Sequence, residues 1–305
     1  MTNPVHRRDF LKTTALASVS SFAWSSSAQS EPGEAAPVAR ARLLPGCCAY
    51  SYGSYLGKGK MTMEEFILKA VELGVLGVDI TTYWLKSTEP AYLAGLRRLD
   101  YRHGMPLSGL AIGADLCQPD PAKRADILET VRKWVDATEF VGASHLRVFG
   151  DKLPAGATEQ QGIHWVAETM KAACEYAAQK GVTIGLETHN GLSVKSANVR
   201  EILRQVDSPF AGCNLDISNL RDNPYEQIAA CLPWATHVHI RDFYGEARSS
   251  LDLDRVWQLF HQSGYQGFLS AEYENQEDAL TGVPKLIAKI KTLCQKYSST
   301  FQPTG

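Results

Sequence analysis

The chain reads Val182-Thr183-Ile184-Gly185-Leu186-Glu187, a short apolar run that ends on a carboxylate. Three later runs also end on a potential metal ligand, Asp216, His239 and Glu272, in successive steps of 29, 23 and 33 residues. A strand, a crossover helix and the next strand take roughly 30 residues, so each step matches one βα unit. Because parallel strands end on the same side of a sheet, we expect these four side chains to converge. Three buried carboxylates would repel one another, so the pattern predicts a bound cation.

Eight apolar strand patterns alternate with amphipathic helical patterns after residue 42. The predicted strands are Leu44–Tyr50, Leu76–Ile80, Leu107–Ile112, Ser144–Phe149, Val182–Glu187, Ala211–Asp216, Thr236–Ile240 and Phe268–Tyr273. Eight strand–helix pairs in roughly 250 residues predict an α/β fold, the (β/α)8 TIM barrel, whose chemistry lies at the carboxyl ends of the strands. A doubly wound open sheet is the alternative. It usually has fewer units and a Gly-rich nucleotide loop, and no Gly-x-Gly-x-x-Gly follows the first strand.

The first 28 residues have the order of a secretory signal peptide. A basic segment, His6–Lys12, precedes the weakly apolar Thr13–Trp24, and Ser26-Ser27-Ala28 offers a small-residue cleavage site. The paired arginines indicate the twin-arginine (Tat) type, which predicts the Tat export machinery as a partner and a periplasmic or secreted location. The apolar stretch is too short for stable membrane insertion. We therefore expect a signal peptide (1–28), a linker (29–42), a TIM barrel catalytic domain (43–297) and a C-terminal tail (298–305).

The charge and the cysteine pattern argue against two kinds of function. The formal net charge is −2, and loss of residues 1–28 would remove three basic residues and one acidic residue, which leaves −4. A nucleic-acid footprint needs a basic surface, so no nucleic-acid partner is expected. None of the seven cysteines forms a Cys-x-x-Cys pair, which favours buried apolar positions over a zinc ribbon or a disulfide framework.

Four segments at the predicted strand ends resemble the xylose isomerase-like barrel superfamily. Within it the chain is similar to the sugar phosphate isomerase/epimerase group, which includes ketose 3-epimerases, inosose dehydratases and, more distantly, endonuclease IV. The resemblance spans residues 47–296. The segments that carry it are Gly185-Leu186-Glu187-Thr188-His189, Leu215-Asp216-Ile217-Ser218-Asn219, His237-Val238-His239-Ile240-Arg241-Asp242 and Gly264 to Glu274.

The resemblance implies a single divalent metal ion held by Glu187, Asp216, His239 and Glu272. Oxygen ligands with one imidazole favour Mn²⁺ or Mg²⁺, with Co²⁺ or Zn²⁺ as alternatives. By the same resemblance, Glu187 and Glu272 act as acid and base on a carbon beside a carbonyl, through a metal-stabilised enediolate. Glu274 competes with Glu272 because both share strand parity. His237 shares parity with His239, but it should lie one layer deeper as a core histidine.

Five further side chains are candidates for substrate binding, and a structural ion pair at the barrel rim is the alternative for all of them except Asn219. They are Arg147, His189, Asn219, Arg241 and Asp242. The aromatic residues Tyr50, Tyr52, Tyr83 and Trp84 near the first two strands offer an apolar wall for a sugar, or pack at the rim.

One departure from the ketose 3-epimerase pattern limits the functional interpretation. That pattern has Asp-x-x-His after the sixth strand, whereas this chain has Asn219, which cannot change charge near neutrality. We expect an exported isomerase or epimerase of a small, unphosphorylated sugar or keto-sugar, because sugar phosphates are mainly cytoplasmic. The alternatives are a keto-sugar or cyclitol lyase, an endonuclease IV-like phosphodiesterase and a non-catalytic sugar-binding protein. A homo-oligomer is compatible with the sequence.

Overall fold

The computed structural model describes residues 40–299, which form a closed barrel of eight parallel strands surrounded by helices. The strands are β1 (Arg42–Cys48), β2 (Val78–Thr81), β3 (Leu107–Asp115), β4 (His145–Phe149), β5 (Thr183–Glu187), β6 (Ala211–Asp216), β7 (Ala235–Ile240), β8 (Phe243–Tyr244), β9 (Ser249–Ser250) and β10 (Gln266–Ala271). The order around the barrel is β1-β10-β7-β6-β5-β4-β3-β2, and β8 and β9 form a separate hairpin. The predicted TIM barrel is therefore confirmed.

Nine α-helices lie in the described range, eight of them between strands and α9 after the last strand. They are α1 (Gly53–Leu56), α2 (Met63–Leu73), α3 (Pro90–His103), α4 (Pro121–Val141), α5 (Glu159–Ala178), α6 (Ser196–Val206), α7 (Pro224–Cys231), α8 (Leu253–Ser263) and α9 (Ala279–Tyr297). Local chemistry sets several of their ends. Thr62 and Glu65 form a capping box at the start of α2, and Gly74 ends that helix in the left-handed conformation.

The strand bounds differ from the predicted bounds by a few residues. β1 begins at Arg42 and ends at Cys48, because Ala49–Tyr52 turns into a 3₁₀ helix. β10 ends at Ala271, so Glu272 directly follows the strand. The hairpin of β8 and β9 was not predicted, since two-residue strands leave no periodic signal. The predicted signal peptide, most of the linker and most of the C-terminal tail lie outside the described residues.

The barrel interior carries a layer of polar rings instead of an all-aliphatic filling. His145 of β4 stacks on His237 of β7 with ring centroids 5.2 Å apart. Gly185 of β5 makes room for this pair, because a Cβ there would collide with the His145 imidazole. Burial first, and then the neighbouring His237, lower the pKa of His145 well below its usual value, so this imidazole is neutral.

The apolar core lies between the barrel and the surrounding helices, where large side chains such as Trp257, Phe66 and Phe260 are fully buried. All seven cysteines are buried and none is in a disulfide, as their sequence pattern indicates. Within the described residues, no helix is long and apolar enough to cross a membrane.

Asp100 on α3 should make stability depend on pH. Its side chain is 6% exposed, its carboxylate oxygens have no hydrogen-bond partner among the described residues, and burial raises its pKa from 3.8 to about 7. As the pH rises from about 4 to 7, the unfolded chain loses this proton while the folded chain keeps it, so stability falls. We expect Asp100→Asn to raise the free energy of unfolding by about 1–3 kcal/mol at pH 8 and by little at pH 4.5.

Urea denaturation of the Asp100→Asn variant and of the parent at both pH values measures this difference. Asp126→Asn on the exposed face of α4 is the matched control and should change stability equally little at both. An Asp100→Asn effect that is independent of pH would contradict the assignment.

Candidate metal centre

Four side chains meet at the carboxyl ends of neighbouring strands. Glu187 ends β5, Asp216 ends β6, His239 is the second-last residue of β7, and Glu272 follows β10. One ligand atom from each lies within 4.8 Å of the others, and all four residues are buried. Parallel register produces this convergence: Asp216 pairs with His239 across β6 and β7, and Glu272 N–H donates to Ile240 O at 3.0 Å. The four residues whose spacing suggested a cation site therefore form one cluster.

Asp79 of β2 fixes the orientation of the His239 ring. His239 Nε2 lies 3.1 Å from Asp79 Oδ2, while Nδ1 lies 3.4 Å from Glu187 Oε1 and 3.5 Å from Glu272 Oε2. A proton on Nε2 is thus held by a carboxylate, and the Nδ1 lone pair faces the other three ligands. Metal-binding histidines commonly have such a carboxylate partner.

His237 lies one layer below His239 and shares the same carboxylate. Its Nε2 is 3.3 Å from Asp79 Oδ1 and 3.2 Å from Ser270 Oγ, which fits the predicted core role. Burial alone would raise the pKa of Asp79, but His239 and His237 outweigh it and hold that pKa well below its usual value. The sequence pattern did not lead us to predict Asp79 as a site residue. An acidic residue inside the fully buried strand Val78–Thr81 is unusual, however, and could have indicated one.

Arg241 bridges two of the four ligands. Its Nη2 donates to Asp216 Oδ2 at 2.7 Å and to Glu272 Oε2 at 2.6 Å, and its Nη1 lies 3.2 Å from Glu274 Oε2. A divalent ion among these ligands would have to share the carboxylate oxygens with this guanidinium or displace it. The predicted substrate-binding residue is therefore engaged with the ligand cluster itself.

Arg147 has a similar place on the opposite side of the cluster. Its Nε lies 2.9 Å from Glu187 Oε2, without the alignment of a hydrogen bond, and its Nη1 donates to Ile112 O at 2.9 Å. The guanidinium also lies over the Phe149 ring, 4.0 Å from its centroid. These contacts support a positioning role for Arg147 beneath Glu187.

The charges of the cluster fit a divalent cation. When fully ionised, the three ligand carboxylates and Asp79 carry four negative charges, and Arg147 and Arg241 carry two positive charges. Two negative charges therefore remain once a bound metal keeps His239 in its neutral form. Burial, reinforced by Glu272 and Glu187, raises the pKa of Asp216 despite the contact with Arg241. Carboxylates held this close without full compensation are destabilising unless a cation joins them. The oxygen-rich donor set with one imidazole is suited to Mn²⁺ or Mg²⁺.

The wall above the ligands contains His189 and Asn219. Asn219 Nδ2 donates to Asp216 Oδ2 at 2.7 Å and to Thr188 O at 3.1 Å. His189 Nδ1 lies 2.5 Å from Asp151 Oδ2, and its ring packs on Phe149 with centroids 4.4 Å apart. Burial would lower the pKa of His189, but the bond to Asp151 and the charge of Glu187 outweigh it and raise that pKa. Asp151 was not among the predicted site residues.

Two acidic residues near the cluster lie outside the four-ligand set. Asp242 Oδ1 accepts from Asn275 Nδ2 at 3.0 Å and its Oδ2 lies 3.1 Å from Lys289 Nζ, so this predicted substrate-binding residue forms an ion pair at the rim. The side chain of Glu274 is 30% exposed, and its Oε2 lies 3.2 Å from Nη1 of Arg241. The structure thus brings Glu272, and not Glu274, into the cluster.

Residues 67–293 match the family described as xylose isomerase-like TIM barrel. The chain belongs to this family. The matched segment extends from α2 to α9 and therefore includes all four ligands and seven of the eight barrel strands. No curated protein matches the chain.

Several solved structures share this fold. The 3-keto-D-glucoside 4-epimerase from E. coli is 17% identical with a TM-score of 0.67, covering 83% of this chain and 100% of its own. The D-allulose 3-epimerase from Methylomonas sp. is 18% identical with a TM-score of 0.65, covering 85% and 98%. The probable 3-DHS dehydratase from Bacillus anthracis is 17% identical with a TM-score of 0.64, covering 80% and 98%.

Replacing Asp79 should weaken metal binding without removing a ligand. In Asp79→Asn the His239 ring loses its charged partner, so we expect the affinity for Mn²⁺, measured by calorimetric titration, to fall about 10–100-fold. Asp222→Asn in the exposed segment after β6 is the matched control and should bind Mn²⁺ as the parent does. Unchanged Mn²⁺ affinity in Asp79→Asn would show that Asp79 serves only the fold.

Replacing Arg241 should make the folded protein depend on added metal. In Arg241→Gln the buried carboxylates lose their internal counter-charge, so we expect the metal-free protein to lose about 3–5 kcal/mol of stability. Mn²⁺ should then raise the Tm of the variant more than that of the parent, since no guanidinium competes for the oxygens. Thermal unfolding in EDTA and in Mn²⁺ measures both effects, with Arg248→Gln at the rim as control. If the Tm of Arg241→Gln lay equally far below the parent Tm in EDTA and in Mn²⁺, the competition between Arg241 and the metal would be refuted.

Proposed function

We propose that this protein is a divalent-metal-dependent sugar isomerase or epimerase that moves a proton on a carbon beside a carbonyl. The observation that carries the proposal is the four-ligand cluster at the carboxyl end of the barrel, where Glu187 and Glu272 stand on strands three positions apart. Three positions is nearly half the circumference of an eight-stranded barrel. The two carboxylates can therefore approach one substrate carbon from opposite sides, as inversion of configuration at that carbon requires.

The residues of the chain have separable tasks in this proposal. When bound, the metal would polarise the substrate oxygens and stabilise the enediolate. Glu187 would remove the proton and Glu272 would return one from the other face, or the reverse. Arg241 would hold Glu272 and Asp216 in place, and His189, oriented by Asp151, would hold a substrate hydroxyl above them.

The cavity above the cluster supports a neutral substrate. It has a volume of about 190 Å³, and three arginines line it: Arg221, Arg241 and Arg248. Arg221 Nη2 lies 2.7 Å from Glu246 Oε1, and Arg248 Nη2 donates to Glu274 O and Asn275 Oδ1, both at 2.8 Å. Two of the three guanidinium charges, those of Arg221 and Arg241, are thus offset by carboxylates of the chain, which favours an unphosphorylated sugar or keto-sugar. The names of the epimerases among the structural neighbours agree with a sugar substrate.

A lyase on the same site is the second candidate. Asn219 replaces the histidine of the ketose 3-epimerase pattern and donates to Asp216 without being able to transfer a proton at neutral pH. A dehydratase also begins by removing a proton beside a carbonyl, and a probable dehydratase is among the neighbours. The acidic chain does not favour a phosphodiesterase that acts on DNA.

The cellular context completes the proposal. Export by the twin-arginine route would place the enzyme in the periplasm or outside the cell, where unphosphorylated sugars and glycosides are the available carbohydrates. The motif around Arg7 and Arg8 supports this location.

Incubation in D₂O with Mn²⁺ and a panel of neutral keto-sugars and 3-keto-glycosides tests the reaction class. Isomerase or epimerase chemistry should place solvent deuterium on the carbon beside the carbonyl, seen by NMR, without loss of water. Glu187→Gln should reduce the rate of this exchange about 10²–10⁴-fold because the base is removed. The matched control, Glu226→Gln on the exposed face of α7, should keep the full rate.

The same experiment separates the two candidates. A product lighter by one water would assign the protein to the lyases. Exchange that survives in Glu187→Gln would contradict the assignment of Glu187, and no exchange with any member of the panel would contradict the proposed reaction.

A further inference from the structure

A second cavity opens beside the metal centre, on the side of β1 and β2. Its volume is about 690 Å³, and its walls are Tyr50, Trp84, the segment around α1 and residues 273–279. We call it the aromatic cleft. Glu274 lines both this cleft and the cavity above the metal ligands, and it pairs with Arg241 at 3.2 Å. The two spaces are therefore neighbours that share one carboxylate.

The rings of Tyr50 and Trp84 form one wall of the cleft, and Tyr83 packs against Trp84 without lining the cleft. Tyr50 and Trp84 have ring centroids 5.6 Å apart with their planes inclined by 35°, and Tyr83 meets Trp84 edge-on at 6.0 Å. Tyr50, which lines the cleft, is 37% exposed. Apolar ring faces left open to solvent beside a catalytic rim indicate a surface that gains free energy when a ligand covers it.

The backbone beneath this wall is shaped to hold the indole. A Cβ at Gly53 would lie 2.7 Å from Trp84 Cη2, and a Cβ at Gly57 would lie 3.2 Å from Trp84 Nε1. Glycine in a helix costs roughly 0.5–1 kcal/mol relative to alanine, and Gly53 begins α1. Close contact between the indole and bare backbone explains the use of glycine at both positions. The orientation of Trp84 is thus fixed by packing.

The opposite wall is polar and equally well held. It presents Asn275, Gln276 and Glu277, and Lys58 also lines the cleft. Tyr55 Oη donates to Asp278 Oδ2 at 2.6 Å, which ties α1 to the start of α9. Amide, carboxylate and ammonium groups that face an aromatic plane match a ring with an apolar face and polar edges.

We propose that the aromatic cleft binds the second ring of a glycoside whose first ring lies at the metal centre. The inference rests on the proposed function for the position of the first ring. The faces of pyranose rings carry C–H groups that pack on an aromatic plane, and their hydroxyl edges would meet residues 275–277. A flat aromatic aglycone has the same apolar face, so the shared chemistry is a ring-shaped substituent on the anomeric oxygen. The volume of the cleft lies within the range of small-molecule sites.

Binding measurements test this without any turnover. Calorimetric titration of the Mn²⁺-loaded protein with glucose, cellobiose and phenyl β-D-glucoside should show at least tenfold tighter binding of one or both glycosides than of glucose. Preference for cellobiose alone identifies a sugar ring as the occupant, and preference for phenyl β-D-glucoside alone identifies an aromatic aglycone. Equal affinity for all three compounds, or no binding of either glycoside, overturns the proposal. These titrations measure binding and not turnover. They therefore test the aromatic cleft even if the protein does not catalyse the proposed reaction.

Two variants assign the preference to the cleft. Trp84→Ala should reduce glycoside affinity to the level of glucose, and Gly53→Ala should reduce it by displacing the indole while every aromatic ring is kept. Tyr101→Ala is the matched control, because Tyr101 is an aromatic residue on α3 that is 88% exposed and does not line the cleft. If both cleft variants fold with the parent Tm and keep the tenfold preference, the second ring binds elsewhere and the proposal is wrong.

Discussion

The crowding of buried carboxylates at one end of the barrel is the constraint on which the rest of the site depends. Glu187, Asp216 and Glu272 lie close enough that their mutual repulsion and lost hydration would destabilise the fold. Two buried guanidinium groups, from Arg147 and Arg241, offset part of this cost. The remainder matches a divalent ion, so the candidate metal centre follows from the charge balance of the barrel itself.

The closed sheet supplies the second requirement, which is a fixed orientation for each ligand. Asp79 and His239 are 160 residues apart, and they meet because the β1–β10 and β1–β2 pairings close the barrel. His145, His237 and Ser270 form a buried layer beneath them, so the His239 ring has little freedom to turn. Ligand geometry is therefore a product of strand register and not of flexible loops.

Sequence spacing predicted the fold and brought four side chains to one rim, because one βα unit has a nearly constant length. It did not predict Asp79, whose partner His239 lies across the barrel on β7, or Asp151, whose partner His189 follows the neighbouring strand β5. Spacing gives the end of a strand but not the side chains that meet there. Asp242 was predicted from its place after the seventh strand, with an ion pair at the rim as the alternative. Its contact with Lys289 is such an ion pair, and spacing alone could not choose between the two roles.

The two arginines make the proposed acid and base unequal. Glu272 Oε2 accepts a 2.6 Å hydrogen bond from Arg241, and although burial alone would raise its pKa, Arg241 and His239 hold that pKa well below its usual value. Glu187 Oε2 has only an ionic contact with Arg147 and no aligned donor among the described residues. A carboxylate oxygen with an open lone pair can accept a proton without breaking an existing bond. Within the proposed mechanism, the geometry therefore favours Glu187 as the base that begins the reaction and Glu272 as the group that returns the proton.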